Sequence, residues 1–82
     1  MSRYADNETV HTDRMALKGK SASGRVQWSD DWGAYATVTS LGANGPFDTK
    51  REAKAALRRE LRGILADAIA TEARRAELHS RP

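Results

Sequence analysis

The C-terminal part of this 82-residue sequence carries the pattern of one long amphipathic helix. Its apolar residues recur every three or four positions, and strong helix formers, mainly alanine and arginine, fill the positions between them. Asp48 or Thr49 can accept hydrogen bonds from the first free amides, and Glu52 follows Thr49 at capping-box spacing. The pattern therefore predicts a helix from about residue 49 to residue 78. Its apolar stripe consists of Ala53, Leu57, Leu61, Ile64, Leu65 and Ala68.

Three shorter segments before this helix have the pattern of β-strands. Met15 and Leu17 alternate with other residues in the first segment, and Val26 and Trp28 alternate with polar residues in the second. The third segment is rich in aromatic and β-branched residues, which suit a pleated sheet. Segments that contain glycine and read as turns lie between these strands and before the helix. The predicted strands are residues 14–18, 25–29 and 34–41, and the predicted turns are residues 19–24, 30–33 and 42–46.

These elements predict an α+β fold in which a small antiparallel three-stranded sheet packs on one long C-terminal helix, in the order β-β-β-α. The first dozen residues are polar and lack periodicity, so we expect a flexible arm there. The predicted organisation is an arm at residues 1–12, a single domain at 13–78 and a tail at 79–82. A chain of this length supports one small core, and the sequence has no cysteine to strengthen it.

The predicted helix is longer than the predicted sheet. About 30 helical residues span roughly 45 Å, whereas strands of six to eight residues span about 20–25 Å. Either Gly63 interrupts the helix, or the apolar residues beyond it bury themselves against a second copy of the chain or another protein. The residues predicted to form such a partner interface are Ile64, Leu65, Ala68, Ile69 and Ala73.

The net charge of +3 is distributed unevenly along the sequence. In residues 1–31 the basic and acidic side chains cancel, whereas residues 48–62 hold six basic side chains against three acidic ones. A cluster of this kind is typical of a solvated helix face, and it is also typical of a surface that contacts phosphates. The six basic residues are Lys50, Arg51, Lys54, Arg58, Arg59 and Arg62.

Few residues in the sequence suit catalysis. His11 and His79 are far apart and have no metal-ligand spacing, and Asp30 and Asp31 are adjacent turn residues whose side chains point apart. The glycines form no phosphate-binding loop. We therefore expect no enzyme activity, no cofactor, no metal and no small-molecule substrate. The sequence also lacks an apolar run of membrane-spanning length and an N-terminal signal peptide, which predicts a cytoplasmic protein without membrane contact.

Two stretches of the sequence are similar to a known family of DNA-binding domains. Residues 24–38, GRVQWSDDWGAYATV, and residues 45–56, GPFDTKREAKAA, resemble the three-stranded-sheet-plus-helix domain of plant Apetala-type transcription factors. Related arm-type modules occur at the N-termini of phage and transposon integrases. The shared features are a Trp-Gly turn before a strand with aromatic residues and alanine, and a Gly-x-Phe-Asp-Thr entry into an alanine-bearing helix.

This resemblance implies that the sheet face opposite the helix enters the major groove of DNA. In the family, arginines and tryptophans on that face make the contacts, and alanines on the helix pack close to the strands. The present sequence departs from the family because its corresponding strands offer only Arg25 as a basic residue, which predicts weaker phosphate affinity.

A second resemblance concerns the start of the predicted helix. Residues 49–56, TKREAKAA, look like the start of the last helix in double-stranded RNA-binding domains, where basic residues at a helix N-terminus meet phosphates. That family has an N-terminal helix, which residues 1–25 do not supply.

The hypothesis that follows is a small non-enzymatic DNA-binding protein, such as a phage or mobile-element accessory factor. Trp28 is assigned to the core with Val26. The predicted phosphate contacts are Lys50, Arg51, Lys54 and Arg58, and the predicted groove contacts are Arg25, Gln27, Trp32, Tyr35, Thr37 and Thr39. The alternative hypothesis is a protein-interaction module, either a homodimer or a phage-type adaptor or inhibitor of a host protein complex, that docks through the long helix.

Overall fold

A computed structural model describes residues 7–79 and shows one antiparallel sheet packed against one C-terminal helix. The α+β class is therefore confirmed, but the sheet has four strands where the sequence predicted three. The strands lie side by side in chain order, so each neighbouring pair is a hairpin. The elements are β1 (Thr9–Leu17), β2 (Lys20–Ser29), β3 (Ala34–Thr39), β4 (Gly42–Phe47) and α1 (Lys50–His79).

The first hairpin is longer than predicted because its turn has only two residues. Lys18 and Gly19 both have positive φ angles, 51° and 78°, which is the backbone conformation of a tight hairpin turn. Residues 20–24 were predicted to be a turn, but they form the first half of β2. Residues 9–12 fell within the predicted arm, and they form the start of β1. Residues 1–6 of that arm and residues 80–82 of the predicted tail lie outside the described part of the chain.

The fourth strand corresponds to the segment predicted to be the turn before the helix. Gly42–Phe47 pairs antiparallel with β3, with Thr39 opposite Gly42 and Thr37 opposite Asn44. Pro46 is compatible with this strand because β4 is at the edge of the sheet, where a missing backbone donor removes no ladder hydrogen bond on the outer side. Glycine, proline and asparagine therefore act here as strand residues.

The core lies between α1 and one face of the sheet. Val26, Leu57 and Leu61 are fully buried, and Leu65 is nearly so. The helix starts with the predicted cap, since the Glu52 amide donates to Thr49 Oγ1 at 3.1 Å. Gly63 does not interrupt the helix, which is continuous over 30 residues. The buried core cluster comprises Ala22, Val26, Ala53, Leu57, Leu61 and Leu65, with Val10, Met15, Tyr35, Phe47 and Ile64 packed against it.

The long first hairpin covers more of α1 than the predicted strands could reach. Its tip reaches Glu72, whose carboxylate lies 3.1 Å from the Lys20 ammonium. Beyond that contact, residues 73–78 are all exposed, and Leu78 retains 62% of its accessible surface. The overhang that the sequence predicted is thus about two turns of helix. Over residues 7–79, no helix is long and apolar enough to cross a membrane.

Candidate nucleic-acid interface

The sheet has two different faces, which we call the helix face and the open face. The helix face packs on α1 and carries Val26 and Thr37, which are direct partners in the β2–β3 ladder. Neighbouring residues along a strand point to opposite faces. The open face, on the side away from α1, therefore carries Arg25 and Gln27 on β2, opposite Val38 and Ala36 on β3.

The six predicted groove contacts are divided between these two faces. Arg25 and Gln27 lie on the open face, as does the Trp32 side chain, which is described below. Tyr35, Thr37 and Thr39 alternate with Ala36 and Val38 and therefore lie on the helix face. The six residues do not share one surface, because the register of β2 with β3 pairs Arg25 with Val38 and leaves the threonines facing α1.

Two of the residues on the helix face have structural contacts there. Thr37 is fully buried, and its hydroxyl lies 2.8 and 2.9 Å from the two carboxylate oxygens of Glu60. The Tyr35 ring packs edge-on against Trp28, with ring centroids 5.1 Å apart. Trp28 thus lies on the helix face beside Val26, as the sequence alternation indicates. Thr37 and Tyr35 hold β3 against the rest of the domain, which accounts for their positions without a ligand.

Glu60 connects the helix to the last two strands. In addition to the Thr37 hydroxyl, the amide nitrogen of Asn44 on β4 lies 2.9 Å from its Oε1. Hydrogen bonds to an ionised carboxylate are about twice as strong as bonds between neutral groups. The carboxylate of Glu60 is therefore directed under β3 and β4, away from the open face.

The open face is shallow, polar and bordered by two arginines. Thr12 is opposite Arg25 in the β1–β2 ladder, and Ser23 is opposite Arg14, so the two arginines are diagonal neighbours. The Arg25 Nε group lies 3.4 Å from Gln27 Oε1. Between the strands is an open depression of about 620 Å³. It is lined by Thr12, Asp13, Arg14, Ser23, Gly24, Arg25, Val38 and Thr39.

Sequence reasoning did not identify Arg14 as a site residue. Because residues 19–24 were predicted to be a turn, the prediction lacked the strand that pairs with Arg14 and places it beside Arg25. The Lys18-Gly19 pair was the available signal, because a polar residue followed by glycine suits a two-residue hairpin turn. With that turn in place, Arg14 falls opposite Ser23.

Trp32 extends over the other half of the open face. Half of its surface is exposed. Its Cζ3 atom lies only 3.0 Å from the position that a Cβ atom would occupy at Gly45, and the Cα atom of Ala36 lies 3.4 Å from the same position. The indole therefore lies beside β3 and β4, and Ala36 is 2% exposed although no helix or strand within residues 7–79 covers this face. One part of the indole packs on the sheet and the rest faces solvent.

The predicted phosphate contacts on the helix lie on the opposite side of the sheet. Arg58 Nε lies 3.1 Å from Asp13 Oδ2, and Lys54 and Arg58 line a groove of about 360 Å³ with His11 and Asp13. By helical spacing Arg51 shares this flank, while Lys50 is half-buried at the first turn. The helix cations and the open-face arginines thus border the same edge strand, β1, from its two faces.

Asp13 reduces the positive charge between these two groups of cations. The Arg58 guanidinium and the backbone N–H of Arg14 hold the pKa of the Asp13 carboxyl below its ordinary value of 3.8. The carboxylate is therefore ionised at neutral pH and neutralises Arg58. Among residues 7–79, Arg58 is the helix cation that forms an ion pair.

The five predicted interface residues on α1 have different environments. Leu65 is 3% exposed within the core cluster, and Ile64 packs against that cluster. Ala68 and Ile69 are half-buried, and Ala73 is exposed. Leu65 therefore contacts this chain's own sheet, which reaches it because the first hairpin is longer than predicted. Ile69 and Ala73 are the members of the set that are open to a partner.

Among the described residues 7–79, no group of three or more histidine, cysteine, aspartate or glutamate side chains could hold a metal ion. The chain matches no protein-family model, and no curated protein or solved structure is significantly similar to it.

Proposed function

We propose that this protein is a small non-enzymatic DNA-binding protein and that it binds DNA through the open face of its sheet. The observation that carries the proposal is the composition of that face, which no other helix or strand of residues 7–79 covers. Arg14 and Arg25 lie diagonally across a polar depression, with Gln27 and the half-exposed Trp32 beside them. Guanidinium groups bind phosphates with paired hydrogen bonds, and small serine and threonine side chains let a backbone approach closely.

The helix cations support this function at longer range. Lys54 and Arg58 border β1 from the face opposite Arg14, so one DNA molecule on the open face does not contact all of them. Their field nevertheless extends over roughly 10 Å at 0.1 M salt, which reaches around an edge strand. Because Asp13 offsets the charge of Arg58, Arg51 and Lys54 supply the positive potential on this flank, which speeds the approach of a polyanion.

The first test is binding of a fluorescent DNA, in duplex and in single-stranded form, measured by anisotropy over a range of salt concentrations. Released counterions make the logarithm of the binding constant fall linearly with the logarithm of salt, by about 0.9 per neutralised phosphate on duplex and about 0.7 on a single strand. The double variant Arg14→Ala/Arg25→Ala should therefore bind more weakly at low salt. Its salt slope should be smaller by about 1.4–1.8.

The matched control is the double variant Arg74→Ala/Arg75→Ala. It removes the same charge from exposed positions near the end of α1, far from the open face. Its salt slope should equal that of the unmodified protein. If both double variants lose affinity equally, the open face is not the binding surface. If neither form of DNA binds at low salt, the proposed function is refuted.

A second candidate function is a protein-interaction module that docks through α1. It is favoured by the overhang of residues 73–78 and by the incomplete burial of Ile69. If the partner is a second copy, sedimentation velocity at micromolar concentration should show a dimer. Ile69→Asp should convert that dimer to monomer, because a charge in an apolar contact is costly to desolvate. Thr71→Asp, at an exposed position about 200° around the helix from Ile69, should leave it a dimer. A monomer in the unmodified protein would exclude self-association.

A further inference from the structure

We propose that the open face binds single-stranded DNA in preference to duplex, and that Trp32 is the platform on which one base stacks. This inference rests on the DNA-binding function proposed above and names the form of DNA that the face takes. It follows from the width of the sheet, from the shape of its open face and from the placement of its two tryptophans.

The dimensions of the sheet do not suit a duplex groove. Four strands have three spacings of about 4.8 Å, so the backbone alone is about 14 Å wide. The major groove of DNA is about 12 Å wide and accommodates a helix or a two-stranded ribbon. A four-stranded sheet lying face-on is too wide to enter it.

The shape of the open face also disfavours reading base edges inside a groove. Groove readout needs side chains that reach the base edges inside the groove. Here one half of the face is a depression that includes Ser23, and the other half carries short side chains such as Ala34 and Ala36. Such a surface receives a strand that lies on it, with its bases turned toward the protein.

Trp32 has the properties of a stacking platform. Half of its surface is exposed on the open face, and Gly45 allows the indole to lie close to the β4 backbone. A Cβ atom at Gly45 would stand 3.0 Å from the ring, so glycine leaves the space that the indole occupies. Stacking on an aromatic ring requires an unpaired base, because the bases of a duplex are already stacked on each other.

The polar residues of the open face continue outward from this platform. Gln27 is opposite Ala36, next to the indole, and its side chain approaches Arg25. Arg14 follows diagonally on β1. A strand whose base stacks on Trp32 can therefore run past an amide and then two guanidinium groups. This order suits a base followed by its phosphates, which is the usual arrangement of aromatic and cationic groups in single-strand binding sites.

The experiment uses the two tryptophans, which are the only ones in the sequence. In a Trp28→Phe variant the fluorescence reports Trp32 alone, and titration with an oligothymidylate should quench it. In the background that keeps Trp28, anisotropy should show a tighter complex with the oligothymidylate than with a duplex of equal length. Trp32→Leu should weaken single-strand binding by about 5- to 100-fold, the loss expected for one stacked base.

The control variant is Trp32→Phe, which keeps an aromatic ring and should retain most of the single-strand affinity. Trp32→Leu keeps apolar cover over Ala36, so circular dichroism should show the same fold in both variants. The inference is overturned if Trp32→Leu binds the oligothymidylate as tightly as Trp32→Phe, or if the duplex binds more tightly. In that case the proposed DNA-binding function would still stand if the protein binds duplex DNA and if replacing Arg14 and Arg25 weakens that binding. The absence of binding to either form would overturn both.

Discussion

Replacing Gly24 by alanine is expected to destabilise the fold by about 3 kcal/mol, because an added Cβ would overlap neighbouring atoms and force them to move. Gly24 lies on the helix face of β2, where an added Cβ would stand 2.7 Å from Leu57 Cδ1 and 2.8 Å from the backbone oxygen of Val38. Leu57 is fully buried. The backbone oxygen belongs to the neighbouring strand and cannot move without disturbing the ladder.

The control for this substitution is Gly63→Ala, the same chemical change on the exposed side of α1. A Cβ at Gly63 would meet no atom within 4 Å, and alanine favours a helix interior over glycine by about 1 kcal/mol. In urea denaturation, Gly24→Ala should therefore lower the midpoint and Gly63→Ala should raise it. If Gly24→Ala leaves the midpoint unchanged, α1 does not approach β2 as closely as described.

Replacing Leu61 by alanine is expected to lower the free energy of unfolding by about 2–5 kcal/mol. Leu61 is fully buried at the middle of the contact between α1 and the sheet, and its truncation leaves a cavity that the surrounding side chains fill only in part. The total stability expected for 82 residues is about 4–12 kcal/mol, so this loss removes a large fraction of it and lowers the urea midpoint.

The control for Leu61→Ala is Leu78→Ala, on the same helix and with the same change in helix propensity. Leu78 is 62% exposed, and its truncation should change the free energy of unfolding by less than about 0.5 kcal/mol. Urea titrations followed by circular dichroism at 222 nm measure both. Equal losses in the two variants would place the core elsewhere than under the middle of α1.

The helix and its cap could be predicted from the sequence because their signals are local. Thr49 and Glu52 stand at capping-box spacing, and the leucines recur at helical intervals over several turns. The observed helix, Lys50–His79, differs from the predicted one by one residue at each end. Gly63 leaves the helix continuous, since one glycine costs about 1 kcal/mol against the burial of Leu61 and Leu65 on either side of it.

The strands built from small residues could not be predicted in the same way. Residues 20–24 and 42–46 hold glycine, serine, asparagine and proline, which are typical of turns. In the fold, Ala22 and Gly24 are small because α1 lies against them, while the glycine and proline of β4 are accommodated at the sheet edge and under Trp32. Contacts with other elements determine the strand conformation of these two segments, and a local sequence pattern does not contain those contacts.

The division of the candidate site between two faces also depends on contacts between elements. Strand alternation assigns Arg25 and Gln27 to one face of β2, but only the register with β3 shows whether Thr37 joins them. The register is set by the lengths of the turns, and the β2–β3 turn contains a glycine with positive φ at Gly33. A shift by one residue would exchange the faces of the whole strand.

The contacts between the first hairpin and the far part of α1 affect how the chain folds during synthesis. Asp13 and Lys20 are ion-paired with Arg58 and Glu72, and Met15, Ala22 and Val26 are covered by the same helix. A ribosome adds about 5–20 residues per second, so the 30 residues of α1 take about 2–6 s to make. During that interval the apolar side of the β1–β2 hairpin is not yet covered. The arginines and lysines on this hairpin, which is made before α1, help to keep it soluble until α1 arrives.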